Sequence, residues 1–286
     1  MTKIDRYVEC SAAGMKYRLI PVTEEIIRCV IAKDEVKTEQ ESLIIEKKEY
    51  PQVPFEAEEA DGAVTVKTSA VQAELNLKTG GITWKHADGS VWLEQNKADL
   101  TRIDVVHYNT GGEKPIINRV KTVDGERNFI QNLKAEKVRT AYRGKLFFTW
   151  KEDEEIHGLG QAEEGIYNYR GHCQYLYQHN MRIPMPVLVS TEGYGILVDC
   201  CSLMTFNDDL KDSYLFLDTV DQIDYYFMGG HTMDEIIHDY RYLTGKAQML
   251  PKWAYGYVQS KEQYYTAKEL AEIIRHYREI GVPIDC

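Results

Sequence analysis

The chain has 286 residues, 43% of them hydrophobic and 28% charged, and a formal net charge of −11. That acidic balance argues against a nucleic-acid surface, which needs a basic face to neutralise phosphates, and it fits neutral or weakly charged small ligands such as sugars. No apolar run approaches the roughly 18 residues of a membrane span, and the opening "MTKIDRYVEC" lacks the apolar centre of a secretory signal.

From Met1 to about Gly230 the sequence reads as a succession of strands split by turn signals: "GAVTVKT", "AVQAELNLKTGG", "ITWKHADG" and "SVWLEQ". In the second of these, Val71, Ala73, Leu75 and Leu77 share one face, with Gln72, Glu74 and Asn76 on the other. Lys78-Thr79-Gly80-Gly81 and Ala87-Asp88-Gly89 supply glycines for tight hairpins. Later runs, "MPVLVST", "GYGILVDC" and "SYLFLDT", continue the pattern. So many strands without intervening helices predict two packed antiparallel sheets.

The first helix is predicted in "TMDEIIHDYRYLTG", where Thr232 and Glu235 have capping-box spacing, Ile236, Ile237, Tyr240 and Leu243 mark the apolar face, and Gly245 ends it. A short apolar run, Trp253 to Val258, reads as a strand. A second helix follows, with Thr266 and Glu269 as another capping pair, Leu270, Ile273, Ile274 and Tyr277 as its stripe, and Gly281 and Pro283 as its stop. "VPID" then begins a further strand. Strand, helix, strand implies a parallel pair, so the character of the chain changes near residue 246.

Six cysteines without CxxC spacing read as reduced thiols of a cytoplasmic protein, and eight histidines without HExxH or HxH spacing predict no metal site. "HGLGQAEEG" has Gly158 and Gly160 but Glu163 where a dinucleotide fingerprint needs glycine, so it reads as a glycine turn at a strand end. "IYNYRGHCQYLYQHN" crowds Tyr167, Asn168, Tyr169, Arg170, Gln178, His179 and Asn180 together. Such a mixture suits a sugar, with rings for its C–H face and amides and guanidinium for its hydroxyls; the alternative is a polar strand-edge loop with inward tyrosines. "GYVQSKEQYY" puts Gln259, Ser260 and Lys261 where a strand passes into its loop, the ligand-facing end of a parallel barrel, unless these are only solvated loop residues. The acidic runs Glu152 to Glu155, Glu163-Glu164 and Asp208-Asp209 read as solvated surface, Cys173 as a buried thiol, and no GxSxG elbow is present.

Three blocks carry a resemblance to glycoside hydrolase family 31, the retaining α-glycosidases: "HGLGQAEEGIYNYRG", "IPMPVLVSTEGYGILVD", and the long stretch "MDEIIHDYRYLTGKAQMLPKWAYGYVQSKEQYYTAKELAEIIRHYREIGVPID". The resemblance implies a mainly β chain, with an N-terminal antiparallel β-sandwich of the galactose-mutarotase type over residues 1–246. Residues 247–286 would be the truncated start of a (β/α)8 barrel. By the same resemblance both catalytic aspartates are expected beyond Cys286, and Asp285 is a structural residue inside the barrel. The residues it assigns to substrate binding are Tyr169, Arg170, Gln178 and Asn180, on a sandwich loop, and Gln259, Lys261 and Tyr264, on the first barrel loop. No cofactor or metal is implied. The partner is an oligosaccharide or α-glycoside, with no nucleic acid and no membrane, and homo-oligomers are possible in the parent. The "VQSK" and "GLGQ" variants lean towards α-xylosidases. The competing expectation is a non-catalytic carbohydrate-binding sandwich.

Overall fold

The computed structural model describes residues 1–39, 41–46 and 49–286, and the chain divides into two compact units, Met1–Gly245 and Lys246–Cys286. In unit one the first strands are β1 (Thr2–Ile4), β2 (Tyr7–Ala12), β3 (Met15–Pro21) and β4 (Ile26–Ala32). A meander follows, β5 (Glu56–Ala60), β6 (Ala63–Lys67), β7 (Val71–Asn76), β8 (Ile82–His86) and the long β9 (Val91–Asn109). The hairpin β10 (Ile117–Thr122) and β11 (Gly125–Ile130) connects β9 to β12 (Lys134–Thr149). The remainder are β13 (Ile156–Gln161), β14 (Cys173–Leu176), β15 (Ile183–Ser190), β16 (Tyr194–Val198), β17 (Met204–Asp208), β18 (Ser213–Val220) and β19 (Ile223–Gly229).

These strands build an eight-stranded sheet in the order β1-β2-β3-β4-β19-β16-β15-β13 and a nine-stranded sheet in the order β14-β17-β18-β12-β9-β8-β7-β6-β5. The strand pairs are antiparallel; short turns require this for hairpins such as β7–β8 and β15–β16, and the distant pairs β4–β19 and β16–β19 run the same way. The alternation read in β7 is the observed one: Val71, Ala73 and Leu75 are buried and Gln72 and Glu74 half-buried. The two sheets close on an aromatic layer in which Trp84 of β8 stacks on Phe227 of β19, centroids 4.2 Å apart and planes 4° from parallel. Tyr194 and Trp92 flank Phe227 at 5.5 Å and 5.7 Å.

β16 and β19 are buried along their whole length. Their alternate residues serve two cores: Ile196, Tyr225 and Phe227 face the other sheet, and Leu197, Tyr226 and Met228 face the outside of their own. That outer face is covered by the helix α1 (Met233–Thr244), through Ile236 and Leu243, and by Ile45. The predicted capping box is present: Glu235 N donates to Thr232 Oγ1 at 3.3 Å and Thr232 N donates to Glu235 Oε2 at 2.9 Å. Beyond Leu100 the β9–β12 ribbon leaves the core, and β10 and β11 are exposed on both faces.

Unit two departs from the expected strands. Residues Lys252–Tyr255 form a 3₁₀ turn, closed by Ala254 N to Pro251 O at 2.9 Å and Gly256 N to Trp253 O at 3.1 Å, which takes Trp253 to Tyr255 out of extended geometry. "VPID" forms no strand either. What remains of the expected pairing is one parallel rung, Cys286 N to Tyr257 O at 3.3 Å and Gln259 N to Cys286 O at 2.8 Å. The second helix, α2 (Ala267–Glu279), is capped by Thr266, whose hydroxyl accepts from Glu269 N at 3.1 Å. The reciprocal half of the expected box is altered: Glu269 accepts from Tyr265 N (3.1 Å) and from Lys261 Nζ (2.8 Å).

Two outcomes follow. Asp239 of α1 is buried, and that burial, reinforced by Glu25 and Glu235 and opposed by His238, pushes its carboxyl up to about 7. The folded state therefore holds a proton that the unfolded chain releases near the ordinary value of 3.8, so this group's contribution to stability falls as pH rises from about 4 to about 7. Asp239→Asn should stabilise unit one by roughly 2–4 kcal/mol at about pH 8 and by little below about pH 4, read from denaturant melts at both values. Because α2 buries no residue, its amides should exchange with solvent much faster than those of β19 in a hydrogen-exchange measurement.

Candidate functional site

The segment from β13 to β15 is held by buried charge. Glu154, at 2% exposure, accepts from Ser190 Oγ (2.6 Å), Tyr194 Oη (2.5 Å) and the Lys151 amide (2.8 Å). Arg170 donates to Asp208 Oδ2 (3.0 Å) and to the carbonyls of Lys151 (2.9 Å) and Glu154 (2.7 Å), and Gly171 N donates to the same Asp208 oxygen (2.7 Å). Asn168 Oδ1 accepts from the amides of Ile156 (3.2 Å) and Arg170 (3.0 Å). Two readings of the acidic runs are corrected here. Glu154 and Asp208 point inward and are buried, because each has fixed donors that compensate its desolvation. The glycines of "HGLG" lie within β13, at a bulge against β15, with φ of 96° at Gly158 and 88° at Gly160.

Against this scaffold the predicted binding residues separate. Tyr169 is 3% exposed, its ring set edge-on to Phe206 at 6.2 Å, so it belongs to the sandwich core. Arg170 is engaged with Asp208 and two carbonyls and acts as a clamp on the loop. Gln178 and Asn180 are exposed, on the loop after β14. Beside them stand exposed rings that the assignment omitted, Tyr175 (58%) and Tyr177 (45%), with Tyr167 (82%) on the preceding loop. The signal for Tyr175 was available: Cys173, Tyr175 and Tyr177 alternate with Gln174 and Leu176, and only the latter pair is buried. The same alternation corrects Cys173, which is exposed, with Sγ donating to Asn207 Oδ1 at 2.8 Å.

In unit two the three predicted residues lie close together. Gln259 Oε1 accepts from Tyr257 Oη and Tyr277 Oη, both at 2.7 Å, and its Nε2 reaches Tyr264 Oη at 3.4 Å. Lys261 Nζ lies 5.5 Å from the Tyr264 ring centroid while paired to Glu269. The cluster is a polar, aromatic loop end with amide and ammonium donors. Among the described residues no group of three His, Cys, Asp or Glu could hold a metal ion, and no helix is long and apolar enough to cross a membrane.

Residues 247–286 match the model of the glycosyl hydrolases family 31 TIM-barrel domain. An alpha-xylosidase of Saccharolobus solfataricus is 36% identical over 164 residues, covering 54% of this chain and 22% of that protein. The alpha-glucosidase 2 of Bacillus thermoamyloliquefaciens is 27% identical over 183 residues, covering 58% of this chain and 23% of that protein. In structure, the family 31 alpha-xylosidase from Xanthomonas citri superposes with a TM-score of 0.70 at 18% identity, over 98% of this chain and 44% of that one.

These matches support a fragment related to glycoside hydrolase family 31, with residues 247–286 matching that family's TIM-barrel domain. The chain's fold is the mainly β arrangement of that family, a sandwich followed by the start of a barrel. It spans about a quarter of the length of the two curated relatives named here. Unit one should depend on its Arg170–Asp208 pair: Arg170→Leu leaves the buried Asp208 carboxylate without its counter-charge and takes a donor from two carbonyls. Its cost should be roughly 2–4 kcal/mol, seen as a lower denaturation midpoint.

Proposed function

We propose that this chain forms the sandwich and the first barrel strand and helix of a retaining α-glycosidase acting on terminal α-linked glucosides or xylosides of oligosaccharides. The match of residues 247–286 to the family 31 barrel carries the reading, and the 36% identity to an alpha-xylosidase favours xylosides. Retaining hydrolysis uses two carboxyl groups about 5–5.5 Å apart, one attacking the anomeric carbon and one protonating the leaving oxygen. Three of the four buried carboxylates among the described residues of unit one are engaged elsewhere, Glu154 with Ser190 and Tyr194, Asp208 with Arg170, and Asp224 bidentate with Arg28 at 2.9 and 2.6 Å, and the fourth, Asp239 of α1, has no second buried carboxylate paired with it. On this reading none of the 286 residues is nucleophile or acid, and the chain's part is to position substrate.

Within unit two, Gln259, Lys261 and Tyr264 would then be sugar contacts of the first barrel loop; within unit one, taken by itself, Gln178 and Asn180 with Tyr167, Tyr175 and Tyr177 would offer amides and ring faces. The exposed tyrosines also support the second reading, a carbohydrate-binding sandwich without hydrolytic activity. Six free cysteines support a reducing, cytoplasmic setting, and the exposed Tyr108, Ile117 and Phe129 on the projecting ribbon support self-association of the parent. The test is an assay of the 286-residue chain with p-nitrophenyl α-xyloside and α-glucoside. The expected rate is that of buffer, and turnover would refute the assignment of the chemistry to other residues. Reading the coding region past Cys286 separates the two functions: further strand-helix units support the glycosidase, and a stop codon supports the binding module.

A further inference from the structure

At one end of unit one the turns β3–β4, β6–β7 and β8–β9 and one face of α1 border a cavity of about 670 Å³. That volume is in the range of small-molecule sites. Its lining holds four carboxyl groups, Glu25, Asp88, Glu235 and Asp239, and no lysine or arginine. Two of the four are already satisfied: Asp88 accepts from Ser90 N (2.9 Å) and Oγ (2.7 Å), and Glu235 accepts from the amides of His231 (2.8 Å) and Thr232 (2.9 Å). Asp239 is different. It is only 8% exposed, lines the cavity, and has no hydrogen bond or ion pair among the described residues. A buried carboxyl without a donor is costly, and the charge of Glu25 on the cavity wall adds to the cost.

The opposite wall is aromatic. His86 lies against Trp92 with centroids 3.6 Å apart, and Trp92, 3% exposed, leaves its Nε1 without an acceptor among the described residues. Gly229 is required there, because a Cβ would stand 2.6 Å from Trp92 Cη2. We propose that this cavity binds a small organic ammonium, its nitrogen donating to Asp239 and facing Glu25 and its body lying along the His86–Trp92 wall. A neutral polyol would supply donors but leave the excess negative charge. A bare metal ion lacks a three-ligand set among the described residues. An ammonium on an organic body satisfies both the open carboxyl and the aromatic wall. The proposal is independent of the glycosidase reading.

Calorimetric titration of the whole chain with tyramine and with tyrosol, which carries a hydroxyl in place of the ammonium, tests this at about pH 8, where Asp239 is ionised. Tyramine should bind at least about tenfold more tightly than tyrosol. Asp239→Asn, which should fold at least as stably as the parent, should bring the two ligands to within about twofold, and Glu25→Gln should reduce the preference partway. Equal affinities in the parent chain, binding of neither probe, or an undiminished preference in Asp239→Asn would each overturn the assignment.

Discussion

The contact of Trp84 on Phe227 sets the terms for the rest of unit one. It brings a ring from each sheet face to face at 4.2 Å, and two sheets can share a dry core only where such large side chains interdigitate at close to crystalline density. Phe227 also leans on Tyr194, whose hydroxyl donates to the buried Glu154. Through Glu154 and the carbonyls that Arg170 clamps, the core reaches the β13–β15 segment and holds its loops in place. In the other direction Phe227 leads within two residues to Gly229 beside Trp92, and from there to α1 and the cavity. The exposed tyrosine loop and the ammonium site are therefore both anchored to one aromatic layer. Loops carry specific contacts best when a rigid scaffold fixes their bases.

Much of this architecture was legible in sequence, for a physical reason. Strands with one buried face must alternate, so β7 and β14 declare their orientation residue by residue; helices must satisfy their first amides, so Thr232 and Glu235 mark the start of α1. The sequence signal weakens where burial comes from both sides. β16 and β19 read only as apolar runs, and nothing local says that α1 covers their outer face. It fails for charge. Glu154 sits in an acidic run indistinguishable from solvated surface, and its inward turn depends on Ser190 and Tyr194, which are 36 and 40 positions away. Tyr169 shows the same limit from the other side: a tyrosine in a polar loop can present its ring to ligand or to core, and the choice was made by Phe206, another distant residue. Composition singled out the segment, while tertiary partners decided which of its side chains face out.

Unit two obeys a different rule from unit one. The strands of unit one pair antiparallel, many of them as hairpins joined by short turns, whereas Tyr257 and Cys286 meet in parallel, a geometry that needs a crossover of a dozen or more residues. The helix α2 supplies it. The single rung Gln259 N to Cys286 O and the pair of phenols on Gln259 Oε1 act together, since Tyr257 precedes the bridge and Tyr277 belongs to the crossover helix. The amide of Gln259 is thus fixed by both elements that a βα unit must join. Its side chain is pre-oriented at the carboxyl end of the extended segment that pairs with Cys286, the end at which parallel barrels put their ligand contacts. The ammonium of Lys261 is shared in turn between Glu269 and the ring of Tyr264. A lysine so engaged holds the loop to the first turn of α2, so the loop between the extended segment and the helix is fixed at both ends.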